Sequence, residues 1–199
     1  MDDTILAYLA GLFDGEGCIQ ISGSYIPRLN RKQIVLGIKM AMQSEEAVAT
    51  FASVADAKYY KHGGYGGTFE CVIWQQKAVD MLEKMLPYLI TKQERAKFAM
   101  FFYKVSFASR GRGAIKLTQD EVEFREIAAE MMSLFNHKDS LLFHGKAGEF
   151  GERLNVLQTK MRKLIPSQAV EGQGSTEGVT TSSVSPNNNP NQETPPSVH

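Results

Sequence analysis

Apolar residues recur at i, i+3, i+4 and i+7 near the start of the chain, at Leu6, Leu9, Ala10 and Phe13. That period predicts a helix opening near Thr4, with Asp2 or Asp3 placed to cap it and Gly15 and Gly17 to end it. The period then changes. Ile19 and Ile21 alternate with Gln20 and Ser22, and after Pro27 a second alternating run extends from Gln33 to Met42. Two antiparallel strands over 18–25 and 33–42 are expected. Ser44 is placed to cap a helix containing Val48, Phe51, Ala52 and Ala55, and short strands follow over 58–62 and 68–74 around a glycine-rich turn at 62–67.

Helical periods resume over 77–89 and from Thr91 to about Phe107, before Gly111 and Gly113 interrupt the pattern. The order to that point is αββαββα, an α+β arrangement with a four-stranded antiparallel sheet. Phe124, Ile127, Ala128, Met131 and Phe135 mark one further amphipathic helix, and Phe150, Leu154, Leu157, Met161 and Leu164 mark another. Both are expected to be packing helices. The pattern of the first helix does not recur in the chain.

A chain of 199 residues, 43% hydrophobic, can bury one sizeable core and is short for two enzymatic domains. From Ser167 to His199 it is dominated by Ser, Thr, Asn, Gln, Gly and Pro without an aromatic residue, a composition that predicts disorder. The expected organisation is a core over 1–110, a helical extension packed on it over 111–166, and a disordered tail over 167–199. The tail holds Glu171, Glu177 and Glu193 and no Lys or Arg, so a chain of formal charge zero carries +3 on its remainder.

Charge is blocked along the chain. Seven cations (Lys92, Arg95, Lys97, Lys104, Arg110, Arg112, Lys116) face a single acid, Glu94, between Thr91 and Leu117. A basic run of this kind is either a solvated face or a surface for phosphates. The two cysteines, Cys18 and Cys71, lack metal-site spacing and suit a reducing compartment. No apolar run approaches a membrane span and the first residues are acidic, so neither membrane insertion nor a targeting signal is expected, and the protein is placed in the compartment that encodes it.

The segment Leu9–Gly17, LAGLFDGEG, carries the candidate chemistry. Opposite the core stripe lie Tyr8, Gly11, Leu12 and Gly15. Glycine inside a helix costs about 1 kcal/mol relative to alanine, so this small face predicts close approach by a second helix. Since the motif occurs once, the simplest partner is the same helix of another copy about a two-fold axis. Asp14 and Glu16 then fall at the negative end of the helix dipole, where each is unfavourable by about 0.3–1 kcal/mol. A bound cation reverses that sign, and Glu16 with a backbone carbonyl of Gly15 or Gly17 offers the oxygen donors that suit Mg2+. Solvated acids after a glycine-terminated helix are the alternative.

LAGLFDGEG resembles the signature of the LAGLIDADG homing endonucleases, matching it at Leu9, Ala10, Gly11, Leu12, Asp14 and Gly17, with Glu16 in place of the usual Asp. The αββαββα order resembles the core of that family, and PYLITKQ over 87–93 resembles its later P-x-L…K-Q segment. The likeness covers about residues 1–110. It implies an intron-encoded nuclease whose motif helices form the dimer interface and whose last motif acid binds divalent metal beside the scissile phosphate. Single-motif members are homodimers. By position, Glu16 becomes the metal-binding carboxylate, Gly15 a backbone ligand, and Lys92 a basic residue that organises the attacking water or stabilises charge. Mg2+ is the expected ion, with Mn2+ as a substitute. The family often places Gln or Asn near the end of its second strand. Here strict alternation gives Met42, whereas a one-residue bulge delivers Gln43.

The resemblance also implies double-stranded DNA as substrate, read by the free face of the sheet in the major groove. By alternation that face carries Gln20, Ser22 and Ser24, then Gln33 and Lys39, then Lys58, Tyr60 and His62, and lastly Glu70. Arg28 and Arg31 on the first hairpin, and Arg110, Arg112 and Lys116 in the basic loop, are expected at phosphates. Hydrolysis of one phosphodiester on each strand would follow. An intron RNA maturase and a DNA-binding regulator without catalysis are the alternatives.

Overall fold

In the computed structural model, residues 2–27, 31–62, 67–108 and 117–165 are described, without the side chains of 24, 31, 108 and 139–143. The order is α1 (Asp3–Glu16), β1 (Gly17–Ile26), β2 (Arg31–Met42), α2 (Glu45–Val54), β3 (Tyr59–Lys61), β4 (Phe69–Trp74), α3 (Gln76–Met85), α4 (Gln93–Tyr103), α5 (Gln119–Phe143) and α6 (Ala147–Leu164). The expected tail over 167–199 lies outside the described residues.

The helix starts follow from their caps. The Asp2 carboxylate accepts from Thr4 N–H at 2.9 Å, and Ser44 Oγ accepts from Ala47 N–H at 3.3 Å. The four strands form one antiparallel sheet in the order β1-β2-β4-β3. Its inner face buries Ile19 and Ile21 from β1, Ile34 to Met40 at alternate positions from β2, and Cys71 and Ile73 from β4. Against it pack Leu9, Ala10 and Phe13 of α1 and Val48 and Phe51 of α2, with the rings of Phe13 and Phe51 stacked at 5.9 Å. Alternation along fixed registers then leaves the opposite face of the sheet to residues 20, 22, 33, 39, 70, 72 and 74.

Two predicted helices are shorter than their periods. The helix expected over 77–89 ends at Met85 and tightens into a 3-10 turn over Leu86–Tyr88, where Pro87 supplies no N–H to an α ladder. The helix expected to reach Phe107 ends at Tyr103 and widens into a π turn over Lys104–Ala108. There the Arg125 guanidinium donates to the Ser106 carbonyl at 2.7 Å and sits 4.4 Å from the Phe107 ring centroid. Helix α5 brings Phe135 edge-on to Phe98 of α4 and donates from Asn136 Nδ2 to the Ile19 carbonyl of β1 at 2.8 Å. Helix α6 packs on α5 through Leu157 and Met161. No helix among the described residues is long and apolar enough to cross a membrane.

Candidate active site and nucleic-acid interface

The site is built where α1 ends. Glu16 is its last residue and is exposed, as is Gly15. Gly17 follows with extended backbone (φ −77°, ψ 155°) and its N–H bonds the Phe13 carbonyl. The helix therefore does not end in the left-handed turn that its glycines predicted. Glycine at 17 is required for space instead: a Cβ there would stand 2.2 Å from Cδ2 of buried Phe13.

Asp14 resolves the apparent misplacement of acids at this helix end. Its Oδ2 accepts from Ile90 N–H at 2.7 Å, and its Oδ1 accepts from Lys92 N–H at 2.9 Å and the Thr91 hydroxyl at 3.0 Å. The carboxylate thus caps the turn leading into α4, where N–H groups converge. Burial pushes this carboxyl up, but the hydrogen bonds from Ile90, Lys92 and Thr91 together outweigh it and hold it below its ordinary value. The family pattern implied no such role, and its signal in sequence is only the pairing of a helix-terminal Asp with a later I-T-K turn.

The same network brings Lys92 to the site. Only 8% of it is exposed. Its ammonium donates to the Asp14 carbonyl and lies 6.0 Å from the Phe13 ring centroid, so a cation meets the negative end of α1. Burial, with Arg95 nearby, pulls the Lys92 ammonium below the usual lysine value, against the opposing fields of Asp14, Cys18 and Glu16. Lys92 is therefore no member of a solvated basic stripe. Lys97 is tied to Glu94 at 2.8 Å, and Arg110, Arg112 and Lys116 lie outside the described residues.

Gln43 does not join the site as a bulge would require. Pairing of β2 runs without interruption to Met40 against β1 and to Met42 against β4. Met42 holds the alternating position, half-buried against the core, and Gln43 lies exposed past the strand end.

Among the described residues no three His, Cys, Asp or Glu side chains group around a common point. Of the two carboxylates at this helix end, Asp14 is taken up by the 90–92 turn, whereas Glu16 has no hydrogen-bond or ion-pair partner among the described residues. With the Gly15 carbonyl it makes an all-oxygen donor pair. Those donors fit Mg2+, which retains several waters and takes few protein ligands.

On the α1 surface away from the core, Tyr8 is 54% and Ile5 40% exposed. A Cβ at Gly11 or Gly15 would meet nothing within 4 Å. Leu12, expected on this face, is half-buried and packs on its own core, whereas Ile5 was not anticipated there.

The outer sheet face holds most of the expected residues together. Gln20, Ser22, Gln33 and Lys39 share it with Tyr60, His62 and Glu70 through the registers Gln20↔Gly37, Ser22↔Val35 and Tyr60↔Glu70. They are not independent. Glu70 is bonded by the Lys39 ammonium, and its other oxygen is 3.3 Å from His62 Nε2. The Lys39 hydrogen bond holds the Glu70 carboxyl below its ordinary value, opposed by burial and aided by His62. Lys58 precedes β3 rather than lying in it. The side chains of Ser24 and Arg31, and all of Arg28, lie outside the described residues. Trp74 was not anticipated, although the same alternation carries it to this face two residues after Val72.

The fold is similar to that of the homing endonuclease I-CvuI, solved in complex with a DNA target in the presence of Mg. The TM-score is 0.50 at 17% identity, covering 81% of this chain and 96% of that one. The archaeal intron-encoded homing endonuclease I-Vdi141I, solved with DNA, gives a TM-score of 0.48 at 12% identity over 82% of this chain and 98% of that one. The LAGLIDADG homing endonuclease I-SmaMI, bound to cleaved DNA, gives 0.33 at 12% identity over 83% and 46%. No family model matches the chain, and no curated protein matches it. The resemblance read from LAGLFDGEG thus has its counterpart in the fold.

Proposed function

We propose that this chain, which has the homing-endonuclease fold, is a site-specific DNA endonuclease that uses divalent metal and acts as a homodimer on a pseudo-palindromic site. The observation that carries this reading is Glu16, an exposed carboxylate without a partner among the described residues, set beside the buried Lys92 ammonium at the end of a helix whose outward face is bare. Pairing two α1 helices through Gly11 and Gly15 would bury Tyr8 and Ile5 and bring the two Glu16 carboxylates toward one axis.

Glu16 and the Gly15 carbonyl would hold the ion. When bound, Mg2+ supplies a more acidic water and offsets charge on phosphate oxygens. Lys92, fixed by Asp14 and shielded from solvent, orients the attacking water or neutralises charge as the phosphodiester breaks. The outer sheet face positions the duplex, with Gln20 and Gln33 suited to adenine and Lys39 to guanine.

The test incubates wild type and Glu16→Gln with a randomised duplex pool, with Mg2+ or with chelator. Metal-dependent cutting by wild type alone supports the reading, and Mn2+ should substitute. Binding without cutting by wild type would mark a DNA-binding regulator, and binding restricted to intron RNA a maturase.

A further inference from the structure

The outer face of the sheet has an aromatic end. Strand β3 pairs with β4 only across Phe69 to Cys71, so the rest of β4, through Trp74, runs on beyond it. A groove of about 570 Å3 opens there between Tyr60, Val72 and Trp74, with Lys58 and Lys77 on its rim. Tyr60 is 63% and Trp74 45% exposed. Two large aromatic surfaces facing water beside Val72, on the face that also carries Gln20, Gln33, Lys39 and Glu70, call for a ligand with an apolar edge.

Trp74 is fixed. Its ring lies across Gly37, where a Cβ would stand 2.6 Å from Cε3 and Cζ3. The next residue, Gln75, has φ +57° and its N–H bonds the Leu36 carbonyl at 2.9 Å, which turns the chain away immediately after Trp74. The two rim lysines differ. Lys77 is held by Asp56 at 2.7 Å, whereas Lys58 has no ion-pair partner among the described residues.

We propose that Trp74, Tyr60 and Val72 form a specificity subsite that takes the 5-methyl edge of thymine in the major groove, with Lys58 against a neighbouring phosphate. This rests on the reading that the outer sheet face meets DNA. Thymine is the base whose major-groove edge carries a methyl group, whereas cytosine presents an amine and the purines an acceptor nitrogen, which these apolar surfaces would strip of water without a partner. Lys58, without an ion-pair partner among the described residues, stands beside the two aromatic walls of this groove, where it matches the phosphates that flank any base edge.

The experiment uses duplexes that wild type recovers from a randomised pool in Ca2+, remade with deoxyuridine for thymine one position at a time. That exchange removes the methyl group alone. Wild type should bind about fourfold more weakly at a contacted position. Trp74→Ala should bind the parent duplex more weakly and no longer sense the exchange there, while Trp74→Phe restores part of the difference. Trp74 is the chain's one tryptophan, so its emission should change as wild type or Tyr60→Ala is titrated with duplex. Equal affinity of wild type for thymine and uracil duplexes, or an unchanged uracil penalty in Trp74→Ala, would overturn the subsite and leave the DNA reading intact. Failure to recover any duplex would sink both.

Discussion

Asp14 and Lys92, 78 residues apart in sequence, hold each other twice: the Asp14 carboxylate accepts from Lys92 N–H at 2.9 Å, and the Asp14 carbonyl accepts from the Lys92 ammonium. One residue of α1 therefore fixes both the start of α4 and the cation beside Glu16. Asp14→Ala removes a charged acceptor and leaves several N–H groups of the 90–92 turn without a partner. It should cost about 2–3 kcal/mol of stability. A lowered urea midpoint with an unchanged slope checks this.

A buried ammonium is costly to keep, so the proposed catalytic role of Lys92 can be separated from any role in stability. Lys92→Met fills the same space without charge, so it should fold and still bind duplex DNA while cleavage falls about 100-fold or more. Lys92→Arg should not rescue it, because the planar guanidinium cannot occupy a site shaped for a single ammonium on a carbonyl. Single-turnover cleavage rates at saturating enzyme separate this from weaker binding.

The order of elements was legible because helix and strand periods differ, and two separated segments, LAGLFDGEG and PYLITKQ, singled out the end of α1 and Lys92, which the fold brings together. What escaped depends on contacts between distant segments. Asp14 looked misplaced by the dipole of its own helix, and only the turn at 90–92 explains it. The end of β2 was open between strict alternation at Met42 and a bulge at Gln43, and only the register against β4, unbroken to Met42, shows that β2 carries no bulge. Trp74 escaped because the alternation was followed only as far as Glu70. Pairwise charge likewise cannot be read from one strand: Lys39, His62 and Glu70 come from three strands and meet only in the folded sheet.

That meeting has consequences for pH and for DNA. The folded Glu70 carboxyl lies below its ordinary value of 4.5. Its stabilisation is thus complete above about that pH and fades as pH falls through the folded value. Glu70→Gln should flatten this part of the acid unfolding profile. It also releases Lys39, adding one positive charge to the outer face. Affinity for non-specific duplex should rise, and the slope of log affinity against log salt should steepen by about one. Filter binding across a salt series reads both.

Glycine at 11 and glycine at 17 should answer the same substitution in opposite ways, because a Cβ meets a neighbour at 17 and none at 11. At Gly17 a Cβ would collide with a buried Phe13 ring packed on Phe51, so Gly17→Ala should destabilise the protomer by about 1–3 kcal/mol through overpacking. At Gly11 nothing lies within 4 Å, so Gly11→Ala should favour the protomer by up to about 1 kcal/mol as a better helix former. If α1 packs closely on α1 of a second copy, that added methyl keeps the backbones apart. Gly11→Ala should then melt no earlier as a protomer yet dissociate at concentrations where wild type remains dimeric. Sedimentation velocity across a dilution series distinguishes the cases. A wild-type chain that stays monomeric with and without DNA would remove the two-fold axis, and with it the pairing of the Glu16 carboxylates.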